Sequence, residues 1–310
     1  MTAPDSAPQT PGDVIGLVLH FRTPQHTATC LQSLRAAGIP DVVVVDNSAD
    51  GGASWQQLEA LQAACRRATP GPAPAGVIHR LDPGRNLGFA AGVALGLSRA
   101  RELGPRPVLL INSDAWLAAD ALPTLLPQLA QADVVVPALR DPQTLAGPPP
   151  FHHYHRATGL LFAQAHGLDC VQVPCGCCLL LSPALVQPDL FDTDFFFYLE
   201  DVMLGEHLAR QGRRVVACAQ AVVWHAGAAS ARRGSLFYEY HMNRSHWRLA
   251  RRLARGPGQA WLFGALRLFT LSARAGVRSL RSRSWTPWHG LLLATLDALR
   301  GETRDLTPKP

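Results

Sequence analysis

The chain has 310 residues, a net charge of +6 and a hydrophobic fraction of 47%, enough for one large α/β domain with a full core, which excludes wholesale disorder. Charge is uneven: twelve arginines and one acid, Glu239, lie between Arg232 and Arg283, so a body with net −5 over its first 231 residues carries a strongly basic C-terminal segment. No apolar run approaches the roughly 18 residues of a membrane-spanning helix, and the seven cysteines come without an export signal, so reduced thiols are expected.

Residues 1–12, rich in Pro, Ser and Thr, read as a disordered leader. "VIGLVLH" (Val14 to His20) is a predicted buried strand, and Thr23 to Gly38 frames a helix over "PQHTATCLQSLRAAG". "DVVVVDN" (Asp41 to Asn47) lacks alternation, as a strand covered on both faces should. A helix over 53–68, a Pro/Gly loop "TPGPAPAG" and a strand "VIHRL" follow. Next come a helix from Asn86 to Leu103, a strand "PVLLINS", a helix from Leu117 to Ala130 and a strand "DVVVPAL". This strand–helix alternation predicts a doubly wound, mostly parallel sheet flanked by helices. Beyond residue 140 the pattern changes. "RDPQTLAGPPPFHHYHRATG" reads as loop, "VQVPCGCCLLLS" as strands turning at Pro174, Glu200 to Gln211 as a helix and "RRVVACAQAVVWHAG" as two short strands. From Ser235 the pattern is helical, broken at Gly256 and Pro257, so the chain divides into 13–234 and a basic helical extension, 235–310.

Open parallel sheets bind ligands beyond the carboxyl ends of their strands. Polar residues close the apolar runs there: His20, Asp46 and Asn47, then Asn112, Ser113 and Asp114. A lone Asp at a strand end is commonly a turn or cap residue, but two at two ends point to one shared rim. No glycine-rich fingerprint follows the first strand, and the only lysine is Lys309, so dinucleotide binding and a P-loop are both excluded. "CGCC" (Cys175, Cys177, Cys178) has no second Cys/His pair at ligand spacing and reads as small buried strand residues.

The segments "VVVVDNSADGG", "RNLGFAAGVALG", "LLINSDA", "VPCGCCLLLSPALV", "FFFYLEDVML" and "AVVWHAG", in that order between Val14 and Asn243, resemble glycosyltransferase family 2, and within it the rhamnosyltransferase-like bacterial group. The resemblance implies a GT-A fold and inverting transfer of a sugar from a nucleotide-sugar, assisted by a divalent cation, Mn or Mg. "NSDA" stands where the family has its D-x-D metal motif. Asp114 matches its last acid, Asn112 replaces the first, and His225 matches a histidine that completes the metal shell. Asp46 would contact base or ribose, with His20 and Ser113 on the same rim; Arg85 and Asn86, ahead of a helix, suit a diphosphate. Asp201, second acid of "YLED", is the implied general base, with Glu200 orienting it or holding the acceptor. Tyr198 and the aromatic run would wall the acceptor pocket, and such a wall raises a carboxylate's pKa.

Leu204 stands where relatives often carry a further acid. With Asn112, it leaves open a nucleotide-sugar-binding protein of this fold without catalysis. A nucleotidyltransferase would want a glycine- and basic-rich loop after the first strand, which "HFRTPQHT" is not. No "Q-x-x-R-W" marks a processive synthase, so a single addition to a glycan or lipid-linked acceptor is expected. "YHMNR" (Tyr240 to Arg244) inverts the last two residues of the group's "Y-x-x-R-N", so no role is carried over. The arginine-rich extension reads either as a basic amphipathic helix on an anionic membrane, in a cytoplasmic protein at the inner face, or as a helix packed on the body with its arginines outward. No motif supports nucleic-acid binding.

Overall fold

The computed structural model describes residues 10–68, 76–227, 234–304, 306 and 307. Strands β1 (Ile15–His20) and β2 (Asp41–Asp46) have unbroken aliphatic interiors because both their faces are covered. Val42 and Val44 point to the layer made by α1 (Pro24–Ala36) and α2 (Ala53–Ala68). Val43 and Val45 point to the opposite layer, made by α3 (Gly88–Glu102). β3 (Val77–Leu81) and β4 (Val108–Asn112) complete a parallel unit in the order β3-β2-β1-β4.

The sheet continues through β10 (Cys178–Leu181), β6 (Val134–Arg140), β11 (Val215–His225) and the edge strand β5 (Ala115–Leu117). β10 runs antiparallel to β4 and β6, while β11 runs parallel to β6. His20, Asp46, Asn112, Arg140 and His225 therefore end their strands on one rim. Because β10 is reversed, the Cys175–Cys177 turn that precedes it reaches the same rim, where the Asn112 amide donates to the Cys177 carbonyl at 2.8 Å.

Five expectations about the elements need correction. The predicted helix from Leu117 is instead β5, then α4 (Ala121–Leu125), then a 3-10 turn, since Pro127 has no amide to continue an α-helix. The "FHHYH" stretch is not loop. It forms β7 (Phe151–His155) between β8 (Leu161–Phe162) and β9 (Cys170–Pro174), held by backbone pairing with only Tyr154 buried. The two short strands near residue 220 are one strand, β11, whose pairing shifts between Cys218 and Val222. Part of the predicted leader, Pro11–Asp13, is a 3-10 turn capped by Thr10; residues 1–9 and the loop residues 69–75 lie outside the described residues.

The fifth correction concerns the extension. After α5 (Glu200–Arg210), helices α6 (Leu236–Arg252), α7 (Pro257–Ser282) and α8 (Thr286–Arg300) pack against one another. Of α7's four arginines only Arg281 is exposed; the other three turn inward. Arg267 is fully buried and donates to the carbonyls of Arg156 (2.6 Å), His246 (2.7 Å) and Ala157 (3.1 Å). Arg274 reaches His246 and Arg278 pairs with Glu239, both on α6. The apolar residues face out instead: Trp261 is 83%, Phe269 76% and Leu280 82% exposed. No helix among the described residues is long and apolar enough to cross a membrane.

Candidate active site

The acids open α5 after an abrupt turn. Tyr198 (φ 68°) and Leu199 (φ 63°) are both left-handed, a conformation that costs roughly 1–2 kcal/mol per non-glycine residue and must be held from outside. The holding contacts surround the aromatic run. Phe195 is buried, the Phe196 carbonyl accepts from the Phe89 amide at 2.8 Å, and Ser245 Oγ donates to the Phe197 carbonyl at 3.2 Å. The rings pack on α6: Phe196 stacks on His241 (4.9 Å), Phe197 meets Phe237 (5.8 Å) and Tyr198 meets Tyr238 (5.0 Å) edge-on. The run thus fastens the acids to the extension as well as lining their surroundings.

Burial sets the acids' protonation. Glu200 Oε2 has no hydrogen-bond partner among the described residues and is enclosed. Desolvation, with the neighbouring charge of Asp201, pushes Glu200 up to about 8. Desolvation also raises Asp201, to about 6, against the pull of the Val202 amide, which donates to its Oδ1 at 2.9 Å. Near neutral pH the pair therefore holds about one proton, with Asp201 the more acidic of the two. Opposite lies Gly176, where an added Cβ would be 3.6 Å from the Asp201 Cβ.

At one edge of the sheet, β11 pairs with β5 so that His225 faces Ala115 and the Ala226 amide donates to the Asp114 carbonyl at 3.0 Å. This brings His225 Nε2 to 3.3 Å from Asp114 Oδ1. Two cis ligands on one octahedral ion with bonds of about 2.1 Å stand about 3.0 Å apart, so this carboxylate–imidazole pair fits a single divalent cation. Among the described residues no third His, Cys, Asp or Glu joins them, so most of the coordination sphere would be left to ligand oxygens and water. Cys177 and Cys178 are buried, with thiols raised well above their ordinary pKa by desolvation, and stay protonated.

The third group lies at the ends of β2 and β3. Asp46, buried, accepts from Arg80 Nη2 at 2.8 Å and from the Ser48 amide at 3.2 Å, and Arg80 lies over the Trp55 ring. Sequence reasoning missed Arg80. Its signal is the parallel register, which sets Val44 opposite Arg80 and so carries the long side chain to the end of β2. Asn47, expected on the same rim, donates from Nδ2 to the Gly88 carbonyl at 2.9 Å. Asn86 Oδ1 accepts from the Gly88 amide at 2.9 Å, shaping the turn into α3, and Arg85 is exposed beside it. Gly88 itself (φ +77°) admits no side chain, because a Cβ would stand 2.1 Å from the Phe196 carbonyl oxygen. Asn112 and Ser113 are half-buried at the centre of the rim.

His20 is the exception. Its ring is fully buried, with Nδ1 2.7 Å from Thr27 Oγ1 and Nε2 3.3 Å from Ser54 Oγ. Thr27 gives its own proton to the Thr23 carbonyl, so His20 donates from Nδ1 and accepts at Nε2. Burial lowers its pKa and keeps it neutral. It ties α1 to α2 and turns no edge toward a ligand, which corrects its expected place among donor-binding residues.

No protein-family profile and no curated protein sequence matches the chain. Solved structures do. The mannosyltransferase PcManGT from Pyrobaculum calidifontis, in complex with GDP-Man and Mn2+, is 17% identical with a TM-score of 0.55, covering 96% of this chain and 91% of that one. S. aureus TarS 1-349, in complex with UDP-GlcNAc, is 14% identical with a TM-score of 0.55 over 93% and 80%. GalNAc-T7, with UDP, GalNAc and Mn2+, is 11% identical with a TM-score of 0.56 over 77% and 47%, so this chain spans about half of its length. At such identities the likeness establishes the fold, a GT-A-like α/β sheet with a helical C-terminal extension.

Proposed function

We propose that this chain is an inverting, metal-assisted glycosyltransferase that moves one sugar from a nucleoside-diphosphate sugar to a hydroxyl of a glycan or lipid-linked acceptor. The observation that carries the reading is the carboxylate–imidazole pair Asp114–His225 at the strand-end rim, together with a buried carboxylate, Asp201, packed on Gly176 of the turn that reaches that rim. The donors and Mn2+ bound by the fold's solved neighbours support it. Asp201 takes the proton from the attacking acceptor hydroxyl, and protonated Glu200 donates a hydrogen bond that orients acceptor or base. Asp114 and His225 would hold the cation, whose chemistry is to offset charge on the departing diphosphate. Asp46, positioned by Arg80, accepts hydrogen bonds from base or ribose, and Arg85 with the Asn86 turn faces the diphosphate. We assign the donor to the dTDP-rhamnose, UDP- or GDP-sugar class, the catalytic unit to 13–234, and the working place to a cytoplasmic membrane face.

The two-residue donor set at Asp114 favours one other reading, a nucleotide-sugar-binding protein without turnover. Both are tested by measuring nucleoside diphosphate binding with and without Mn2+, followed by turnover on a nucleotide-sugar panel. Transfer that Asp201→Asn abolishes, with donor binding kept, supports the enzyme. Donor binding with no turnover across the panel supports the alternative, and retained transfer by Asp201→Asn removes the base assignment.

A further inference from the structure

Two cavities meet in the extension, and they differ in chemistry. One, about 460 Å³, is lined by Arg244, Arg248, Arg251 and Arg252, with Asp194 the acid on its wall. The other, about 670 Å³, is an apolar groove between α6, α7 and α8, lined by Trp261, Leu268 and Leu299 among others. Trp247, Arg251 and Ala298 line both, so the two are continuous. We propose that this junction binds one membrane lipid that carries a phosphate or diphosphate, with its phosphate among the arginines and its chain in the groove.

The arginines are arranged as an anion site. Arg244 is held by the Glu302 carbonyl through Nε (3.0 Å) and Nη2 (2.7 Å), and Arg252 pairs with Asp192 and Asp194. The guanidinium groups of Arg248 and Arg251 make no hydrogen bond to the described residues, so their forks are open to a ligand. Arg248 is half-buried over the Phe195 ring, and Arg244 and Arg252 crowd it with like charge; desolvation and that crowding both lower its pKa. A bound phosphate would relieve the repulsion and accept bidentate bonds from guanidinium groups. Free phosphate would leave the groove unused. Its volume is that of an ordinary small-molecule site, and Trp261, Leu268 and Leu299 are exposed along it. The outward apolar face of α7 continues it, so the chain of a bound lipid has apolar surface to follow. This placement also has a use. Arg252 grips Asp192 and Asp194, and Arg248 covers Phe195, so the site adjoins the segment that ends in Glu200 and Asp201. If the proposed transfer is correct, a lipid held here would bring its sugar-bearing head toward that base; lipid binding itself does not depend on it.

The test is calorimetric titration of the full chain with farnesyl phosphate below its micellar concentration, beside farnesol and inorganic diphosphate. We expect saturable 1:1 binding of farnesyl phosphate, with farnesol and diphosphate each weaker by at least about tenfold. Arg251→Gln, at an exposed side chain, should weaken farnesyl phosphate by about tenfold, and Leu268→Asp should do the same from the groove. Equal binding of farnesol, equal binding of diphosphate, or unchanged affinity in both variants would overturn the site. So would binding to anionic vesicles alone, with no response to monomeric farnesyl phosphate. Because Asp201→Asn should bind the lipid normally while losing transfer, failure of the lipid site and failure of the transferase reading are distinguishable.

Discussion

The Phe89 amide donates to the Phe196 carbonyl across 2.8 Å, joining the first turn of α3 to the aromatic segment that ends in Glu200 and Asp201. The two stretches are more than a hundred residues apart, and their contact is closed only because residue 88 has no side chain. Gly88→Ala would set a Cβ 2.1 Å from that carbonyl in a left-handed conformation, so the loop must move. We expect a loss of about 1–3 kcal/mol in stability and a fall in transfer rate larger than stability alone explains. Urea denaturation with steady-state kinetics on the folded fraction checks both.

Activity should follow the shared proton of the acid pair. Asp201 must be ionised, so the rate should rise as pH passes about 6; if Glu200 acts as a donor, the rate should fall again near 8. Stability runs the other way. Both folded pKa values are raised, so the native state holds more protons than the unfolded chain between about pH 4 and 8, and stability declines as pH increases through that window. Glu200→Gln should remove most of this slope and stabilise the protein at pH 8 by about 1–3 kcal/mol, with little effect at pH 4. Denaturant midpoints at the two pH values are the measurement.

The cation pair makes a separate claim. Asp114→Asn and His225→Ala should each weaken Mn2+-dependent nucleoside diphosphate binding by about 10–100-fold, while leaving metal-free binding nearly unchanged. Chelation of wild-type protein should reproduce the same loss. A chain whose donor affinity ignores both substitutions and the chelator does not use this pair for metal.

Arg80→Gln tests the Asp46 corner. It leaves a buried carboxylate with only a backbone donor, where it now also has a charge partner. Arg80 is 32% exposed, which screens the pair, so we expect a cost near 1–2 kcal/mol rather than that of a fully buried pair. Donor affinity should fall with it, because the carboxylate loses its orientation. Thermal shift with and without nucleotide separates the two effects.

Strands whose faces are both covered announce themselves as unbroken aliphatic runs, which is why β1, β2 and β4 were legible in the sequence. β7 was not, since "FHHYH" is held by backbone pairing and a single buried tyrosine. Asp114 and Asp201 could be located from motifs, but the Asp46–Arg80 bond depends on strand register and His20's burial on how α1 and α2 close over it. For α7 the pattern records two faces without saying which one is inside. Arg267 and its carbonyl partners decide that, and they come from another part of the chain.

Arg267 is accordingly where the extension should be most fragile. Its fork joins α7 to the carbonyls of Arg156 and Ala157, after β7, and of His246 on α6, while its guanidinium lies over the Tyr154 ring at 5.1 Å. Arg267→Met would delete a buried charge that costs desolvation, but it would leave the Arg156 and Ala157 carbonyls without that donor and strip the His246 carbonyl of its second donor beyond the α6 helix bond. The unpaired acceptors should dominate, at about 1–3 kcal/mol each before relaxation, giving a net loss of about 3–5 kcal/mol. Arg267→Lys should rescue little, because one ammonium cannot reproduce a planar fork that meets three acceptors at once. Denaturant melts of both variants, with limited proteolysis to find where the chain opens, test this. Near-wild-type stability of Arg267→Met would mean that α7 is held by its apolar contacts alone.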